Sequence, residues 1–151
     1  MNAELMEIPG RWEIPYLYSA GKTASRFFQE LRDHARLMGV RCPRCRRVLV
    51  PPRGFCERCF VPVEEWVEVG PRGKLEVFTV VMEAFEGFPP PPYVIAFAKL
   101  DRADTSLCNF LELKFTTLDE ALKKLVIGAP IEVAFKERRE GRMTDFVFRL
   151  T

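Results

Sequence analysis

The chain has 151 residues, 48% of them hydrophobic and 29% charged, with a formal net charge of +2. That length supports one core-bearing domain with a small satellite, or two small domains, and the near-balanced charge excludes a global pull toward nucleic acid or anionic membrane. No apolar run reaches transmembrane length, and the N-terminus lacks a charged-then-apolar signal pattern. With four of five cysteines at metal spacing rather than in a secreted disulfide framework, the reading is a cytoplasmic protein without a membrane partner.

Residues 1–22 carry Pro9, Gly10, Pro15 and Gly21 among Trp12, Tyr16, Leu17 and Tyr18. The prolines forbid a long helix, and the aromatics are too many for a free tail. Such an arm either covers the protein's own core or docks on a partner. From 23 to 38 the pattern turns helical: Phe27, Phe28, Leu31, Ala35 and Met38 form one apolar stripe, with Thr23 to cap the start and Gly39 to end it. The stripe faces either the core or a subunit interface.

Next comes Cys42-Pro43-Arg44-Cys45, ten residues, then Cys56-Glu57-Arg58-Cys59. Two Cys-x-x-Cys pairs at this separation wrap four thiolates around one ion, and a closed four-cysteine set is a structural zinc arrangement. Iron fits the same all-sulfur geometry, and redox pairs or disulfides are the remaining reading. Pro51-Pro52-Arg53-Gly54 makes the return between the knuckles. Arginines 41, 44, 46, 47, 53 and 58 face one acid, Glu57, a local excess of five positive charges. They either offset the thiolates or form an anion-binding patch.

Beyond Trp66 the period becomes that of strands. Leu75, Val77, Thr79 and Val81 alternate with Phe78, Val80 and Met82 along 74–85, both faces apolar, as in a long curved barrel strand entered by a turn at 70–73. After the loop Gly87-Phe88-Pro89-Pro90-Pro91-Pro92, strands are expected at 93–100 and 107–113. A capping box, Thr117-Leu118-Asp119-Glu120, then opens a helix to 126, and strands follow at 131–137 and 143–150. Three strands, a helix and two strands is the plan of the five-stranded OB barrel. The fold class is therefore mainly β with a small α part: N-terminal arm and helix over 1–39, zinc ribbon over 40–65, OB-fold domain over 66–151.

Catalytic equipment is thin. His34 is the only histidine and reads as a helix-surface or interface residue. Cys108 lies inside a strand, where a cysteine is a small core residue; its sequence neighbours supply no base or positive field to activate it. No G-x-S-x-G, phosphate-binding or dinucleotide fingerprint occurs, and a zinc with four cysteine ligands leaves no open position for water. No residue is assigned a catalytic role, and the chain alone reads as a binding or scaffolding module.

These residues resemble a known family. Phe27-Phe28-Gln29-Glu30-Leu31, Val40-Arg41-Cys42-x-x-Cys45 and Pro51-Pro52-Arg53-x-x-Cys56-x-x-Cys59 follow the pattern of domain-of-unknown-function family 35. So do Trp66-Val67-Glu68, Gly73-Lys74-Leu75, Phe78-Thr79-Val80-Val81, Pro92-Tyr93-Val94-Ile95-Ala96 and Gly128-x-x-Ile131-Glu132-Val133-Ala134-Phe135. The resemblance spans about 24–150 and implies a helix, a rubredoxin-like zinc ribbon and a C-terminal OB fold. Two positions depart from it: Glu57 stands where proline is common, and Arg46 where glycine often follows the first knuckle. Neither removes a metal ligand.

The resemblance further implies a non-catalytic companion to a thiolase-like acyl-CoA enzyme. That enzyme would be a thiolase, a hydroxymethylglutaryl-CoA synthase system, a thiolase-like retro-aldolase, or a thiolase cleaving benzoylsuccinyl-CoA, whose small subunit is one such relative. The partner would carry the reacting groups, and this chain would hold structural zinc and share a CoA thioester with it. On that reading Trp12, Tyr16, Phe27 and Phe28 are partner-interface candidates, and Arg72, Lys74, Phe88 and Tyr93 are acyl-CoA-side candidates. A single-stranded nucleic-acid binder is the alternative. The arginine cluster favours it, while Glu76, Glu83 and Glu86 and the low net charge oppose it.

Overall fold

The structure, a computed structural model, describes residues 6–151. Helix α1 spans Gly21–His34 and is entered from Ala20 without a side-chain cap. Thr23, the expected cap, therefore lies inside the helix. The helix stops at Ala35, which turns left-handed at φ 49°, and not at Gly39. Met38 and Gly39 belong to strand β1, Leu37–Arg41. Three- to four-residue spacing alone cannot separate a helix's last turn from a strand that begins three residues later. Gly39 has a packing role: a Cβ there would lie 2.9 Å from Val48 Cγ1 and 3.0 Å from the Leu49 carbonyl.

Strands β2 (Val48–Leu49), β3 (Phe55–Cys56), β4 (Val61–Pro62) and β5 (Glu65–Val69) complete the ribbon. β1 is the centre of a three-stranded antiparallel sheet in the order β2-β1-β5, and β3 and β4 form a separate hairpin. The sheet faces two ways. Val40 and Leu49 pack with Cys42, Cys56 and Val63, while Leu37, Val48, Val50 and Val69 join Phe27 and Leu31 of the helix in the barrel's core.

The barrel is built from β6 (Arg72–Val81), β7 (Tyr93–Leu100), β8 (Leu107–Glu112), β9 (Pro130–Phe135) and β10 (Phe146–Leu150), with α2 (Leu118–Lys124) between β8 and β9. The closed order β6-β7-β8-β10-β9, with β8 and β10 parallel and the other pairs antiparallel, is the OB topology. The capping box forms as expected: Thr117 Oγ1 accepts from the Glu120 N–H at 3.3 Å, and the Glu120 carboxylate accepts from the Thr116 N–H at 3.1 Å.

β6 differs from the alternation expected of it. Its pairing with β7 slips between Leu75 and Val77, so Glu76 is a bulge. Before the bulge Gly73 and Leu75 point inward; after it Phe78 and Val80 do, and Val77 is exposed. The phase change is why both faces of the strand read as apolar, and the bend it introduces helps the sheet close. At Gly73 a Cβ would come within 2.4 Å of the Lys99 carbonyl oxygen, so only glycine allows the barrel's first pairing there.

Two buried polar groups finish the core. Asn109 donates to the carbonyls of Met143 and Phe146 at 2.8 and 3.0 Å. Asp145 Oδ2 accepts from the N–H groups of Glu140, Gly141 and Arg142 at 2.7–2.9 Å. Burial opposes the charge on Asp145, but these three donors outweigh it and hold its carboxyl below the ordinary value. Among the described residues, no helix is long and apolar enough to cross a membrane.

Candidate metal centre and docking surfaces

The sequence places the cysteines by repeating one turn. After Cys42-x-x-Cys45 the Arg46 N–H donates to the Cys42 carbonyl at 3.0 Å; after Cys56-x-x-Cys59 the Phe60 N–H donates to the Cys56 carbonyl at 2.9 Å. Arg46 and Phe60 both sit in the left-handed region, at φ 63° and 52°. This explains why glycine suits the position that Arg46 occupies: a side chain there strains the backbone. The two knuckles thus present their sulfurs to one point, and all four Sγ atoms lie within 4.8 Å of one another. Cys45 Sγ and Cys56 Sγ are 3.8 Å apart. A tetrahedral zinc with bonds of about 2.3 Å requires sulfur separations of about 3.8 Å, so the set fits the ion.

The electrostatics also call for a cation. Burial opposes charge on Cys42, yet donation from the N–H groups of Cys45 and Arg44 brings its thiol down to about 6. Burial and the three neighbouring sulfurs push Cys59 up to about 12. Four thiolates this close repel one another, and a divalent ion is what lets all of them ionise. Cys42, Cys45, Cys56 and Cys59 would hold a zinc with no coordination position left over, a structural centre.

The arginines around the centre are largely paired. Arg41 and Arg46 reach Glu65 at 3.0 and 3.5 Å, and Arg47 and Arg53 reach Glu57 at 2.9 and 3.1 Å. The Arg47 guanidinium, held charged first by Glu57, also feels the Cys45 and Cys56 sulfurs. Glu65 lies outside the stretch 41–58 and supplies an acid that the local count misses. Arg44 and Arg58 have no carboxylate within reach among the described residues.

The ribbon is tied to the barrel by the β7–β8 loop. The Asp104 N–H donates to the Val48 carbonyl at 2.8 Å, and Asp104 Oδ2 accepts from the Val48 N–H at 2.8 Å. Thr105 Oγ1 both accepts from the Val50 N–H and donates to the Val50 carbonyl, each at 2.7 Å. These residues satisfy the open edge of β2 as a neighbouring strand would. Sequence reasoning missed them; a lone Asp-Thr in a loop carries no signal of what it pairs with. Arg26 of α1 caps the Trp66 ring at 4.5 Å, joining helix to ribbon.

The remaining candidates are dispersed. Trp12 and Tyr16 lie on an arm whose residues 6–20 are all exposed, so the arm does not cover this chain's own core. Phe28 is half-buried, edge-on to Phe27 with ring centres 5.4 Å apart. Phe27, expected at a partner interface, is only 2% exposed and belongs to the core, because its position on α1 faces the barrel. Arg72 and Lys74 stand at the start of β6, Lys74 lining a cleft of about 680 Å³ with Lys99, Arg102 and Ile127. Phe88 and Tyr93 are at the other end of the β6–β7 hairpin, where Tyr93 pairs with Val81. Their rings stack at 6.3 Å, and Tyr93 meets Phe110 edge-on at 5.6 Å. The structure thus brings Arg72 near Lys74, and Phe88 near Tyr93, but separates the two pairs by the length of a strand. His34 closes α1, and Cys108 is half-buried on β8.

The comparisons with known proteins agree with this architecture. Residues 30–65 match the family described as ChsH2, rubredoxin-like zinc ribbon domain, and residues 66–136 match ChsH2, C-terminal OB-fold domain. A DUF35 domain-containing scaffold protein of Methanocaldococcus jannaschii is 27% identical over 121 residues, covering 79% of this chain and 81% of that protein. Among solved structures, a DUF35 protein of unknown function from Sulfolobus solfataricus superposes with a TM-score of 0.63 at 22% identity, over 87% of each chain. A chain of the Ltp2-ChsH2(DUF35) aldolase superposes with a TM-score of 0.63 at 25% identity, over 88% of this chain and 98% of that one. The chain belongs to the DUF35 family, in the ChsH2-like form that joins a rubredoxin-like zinc ribbon to an OB fold.

Proposed function

We propose that this chain is a non-catalytic subunit of a thiolase-type acyl-CoA complex, holding a thiolase-like enzyme and helping to bind its CoA thioester during carbon–carbon bond cleavage or formation. The observation that carries the reading is its match to a DUF35 chain that forms part of an aldolase together with Ltp2. The scaffold naming of the Methanocaldococcus relative supports it, as does a closed metal centre with no position for substrate. The zinc is a staple that fixes the ribbon, and the ribbon is fixed to the barrel through Asp104 and Thr105.

In this reading Trp12, Tyr16 and Phe28 meet the partner. Lys74 and Arg72 supply positive charge for the CoA phosphates, and the stacked Phe88 and Tyr93 supply an apolar wall for another part of the thioester. A thiolase-like retro-aldolase is the partner type nearest to the aldolase match, with thiolase and synthase partners as variants of the same role. The nucleic-acid reading loses support because Glu57 and Glu65 engage four of the six arginines, and Glu65 lowers the local excess from five positive charges to four. The proposed working compartment is the cytoplasm, where thiolate ligands stay reduced.

Co-purification with a co-expressed thiolase-like protein tests the proposal. A stable heteromer is expected, weakened about tenfold or more by Trp12→Ala with Tyr16→Ala, as for buried aromatic anchors. Lys74→Ala should raise the KM of the complex for its acyl-CoA and leave kcat unchanged. A chain that never associates with a thiolase-like protein overturns the reading.

A further inference from the structure

Helix α1, the Pro51–Arg53 loop and the outer wall of the barrel enclose an apolar groove of about 490 Å³. Phe97 and Cys108, neighbours in the β7–β8 register, form its floor, and Phe28, Pro52 and Met143 stand along its sides. The floor continues onto Val77, which pairs with Phe97; these two are 55% and 44% exposed. A continuous apolar surface of this kind on a folded chain marks a contact site.

The segment best matched to it is the arm. Residues 6–20 include Trp12, Tyr16, Leu17 and Tyr18, which are 87%, 76%, 103% and 81% exposed. The arm enters α1 at Gly21, and Ala24, one turn later, already lines the groove. Every residue of the arm is exposed, so it is not seated on its own chain's groove. Extended, its fifteen described residues reach about 50 Å, whereas the fourteen residues of α1 beside the groove span about 21 Å.

We propose that two copies of this chain exchange arms, each laying residues 6–20 in the groove of the other. Arm and groove occur once on each copy, so the exchange is reciprocal and closes on a two-fold axis. The area is sufficient. Three aromatic rings per arm bury about 150–250 Å² each, about 900–1,500 Å² for both arms before the grooves are counted, against about 1,200–2,000 Å² for a stable interface. Trp12, Tyr16 and Phe28 are the residues assigned above to the thiolase-like partner, so the exchanged dimer is the state of the free chain and gives way when that partner binds. Measured with no other protein present, its outcome is separate from that of the acyl-CoA reading.

Cys108 reports on the groove because it is the one cysteine outside the metal set. The experiment follows sedimentation and N-ethylmaleimide alkylation of Cys108 in the zinc-loaded chain over a wide concentration range. The expected result is a dimer that builds up with concentration while alkylation slows by about tenfold, as mass action requires. Trp12→Ser with Tyr16→Ser should abolish both effects. Phe97→Ser, on the groove side, should abolish dimerisation equally. A chain monomeric at every concentration, or a dimer that survives the arm variant, overturns the proposal. Protection of Cys108 that is independent of concentration but lost with the arm variant also overturns it, placing the arm on its own groove.

Discussion

The ribbon and the barrel are stabilised by different physics. Around the metal, only Val40, Leu49 and Val63 join two cysteines as buried residues, too few to offset the entropy of ordering two knuckles and a hairpin. The barrel closes its hydrogen bonding on itself and shares with α1 and one face of the ribbon sheet a core containing Phe146, Phe148, Leu75 and Leu107. The first region depends on an ion held by four side chains; the second depends on apolar area. The two meet at β2, whose edge is satisfied by side chains from a barrel loop. The small cluster on the metal side of the ribbon sheet is thus backed, on the sheet's other face, by the core shared with the barrel.

Chelating the metal or making Cys42→Ser should have the largest effect, because structural zinc in finger peptides contributes on the order of 10–16 kcal/mol at neutral pH. Zinc content should fall to nothing and amide protection should vanish over residues 42–63, while β6–β10 stay protected in hydrogen exchange. Loss of protection in the barrel as well would erase the contrast and make the chain one cooperative unit. Phe146→Ala should lower barrel stability by about 3–5 kcal/mol in denaturant titration, with zinc stoichiometry retained. Thr105→Val removes both bonds to Val50 and leaves a buried N–H without a partner, at a cost of about 1–3 kcal/mol. Its mark should be earlier exchange of β2 than of any barrel strand. The smallest effect is in the other direction: Arg46→Gly relieves a left-handed side chain and should raise the ribbon's stability by about 0.5–1 kcal/mol, read as slower zinc release to a chelator.

Much of this arrangement was legible in the chain. The cysteine spacing, the Thr117 cap and the succession of strand, turn and helix signals depend on neighbours a few residues apart, and they foretell the zinc ribbon and the OB order. The α1 stripe was legible in kind but not in extent, because Ala35 and Met38 continue its spacing although the helix has ended at His34. The bulge at Glu76 left its trace as a strand apolar on both faces, which periodicity alone could not assign to a change of phase. The arginine excess read as an open question because one of its acids, Glu65, sits on the adjacent strand β5.

Local geometry and residue chemistry were enough to mark which residues could bind a metal, the Thr117 cap and which class of fold could follow, but not the cap and stop of α1. Tertiary structure alone decided the rest. Phe27 faces the core rather than a partner, Asp104 and Thr105 close the ribbon's edge, and the four acyl-CoA-side candidates divide between two ends of a hairpin. Each of those outcomes depends on which distant segment comes to lie alongside, a choice made by the packing of the whole chain.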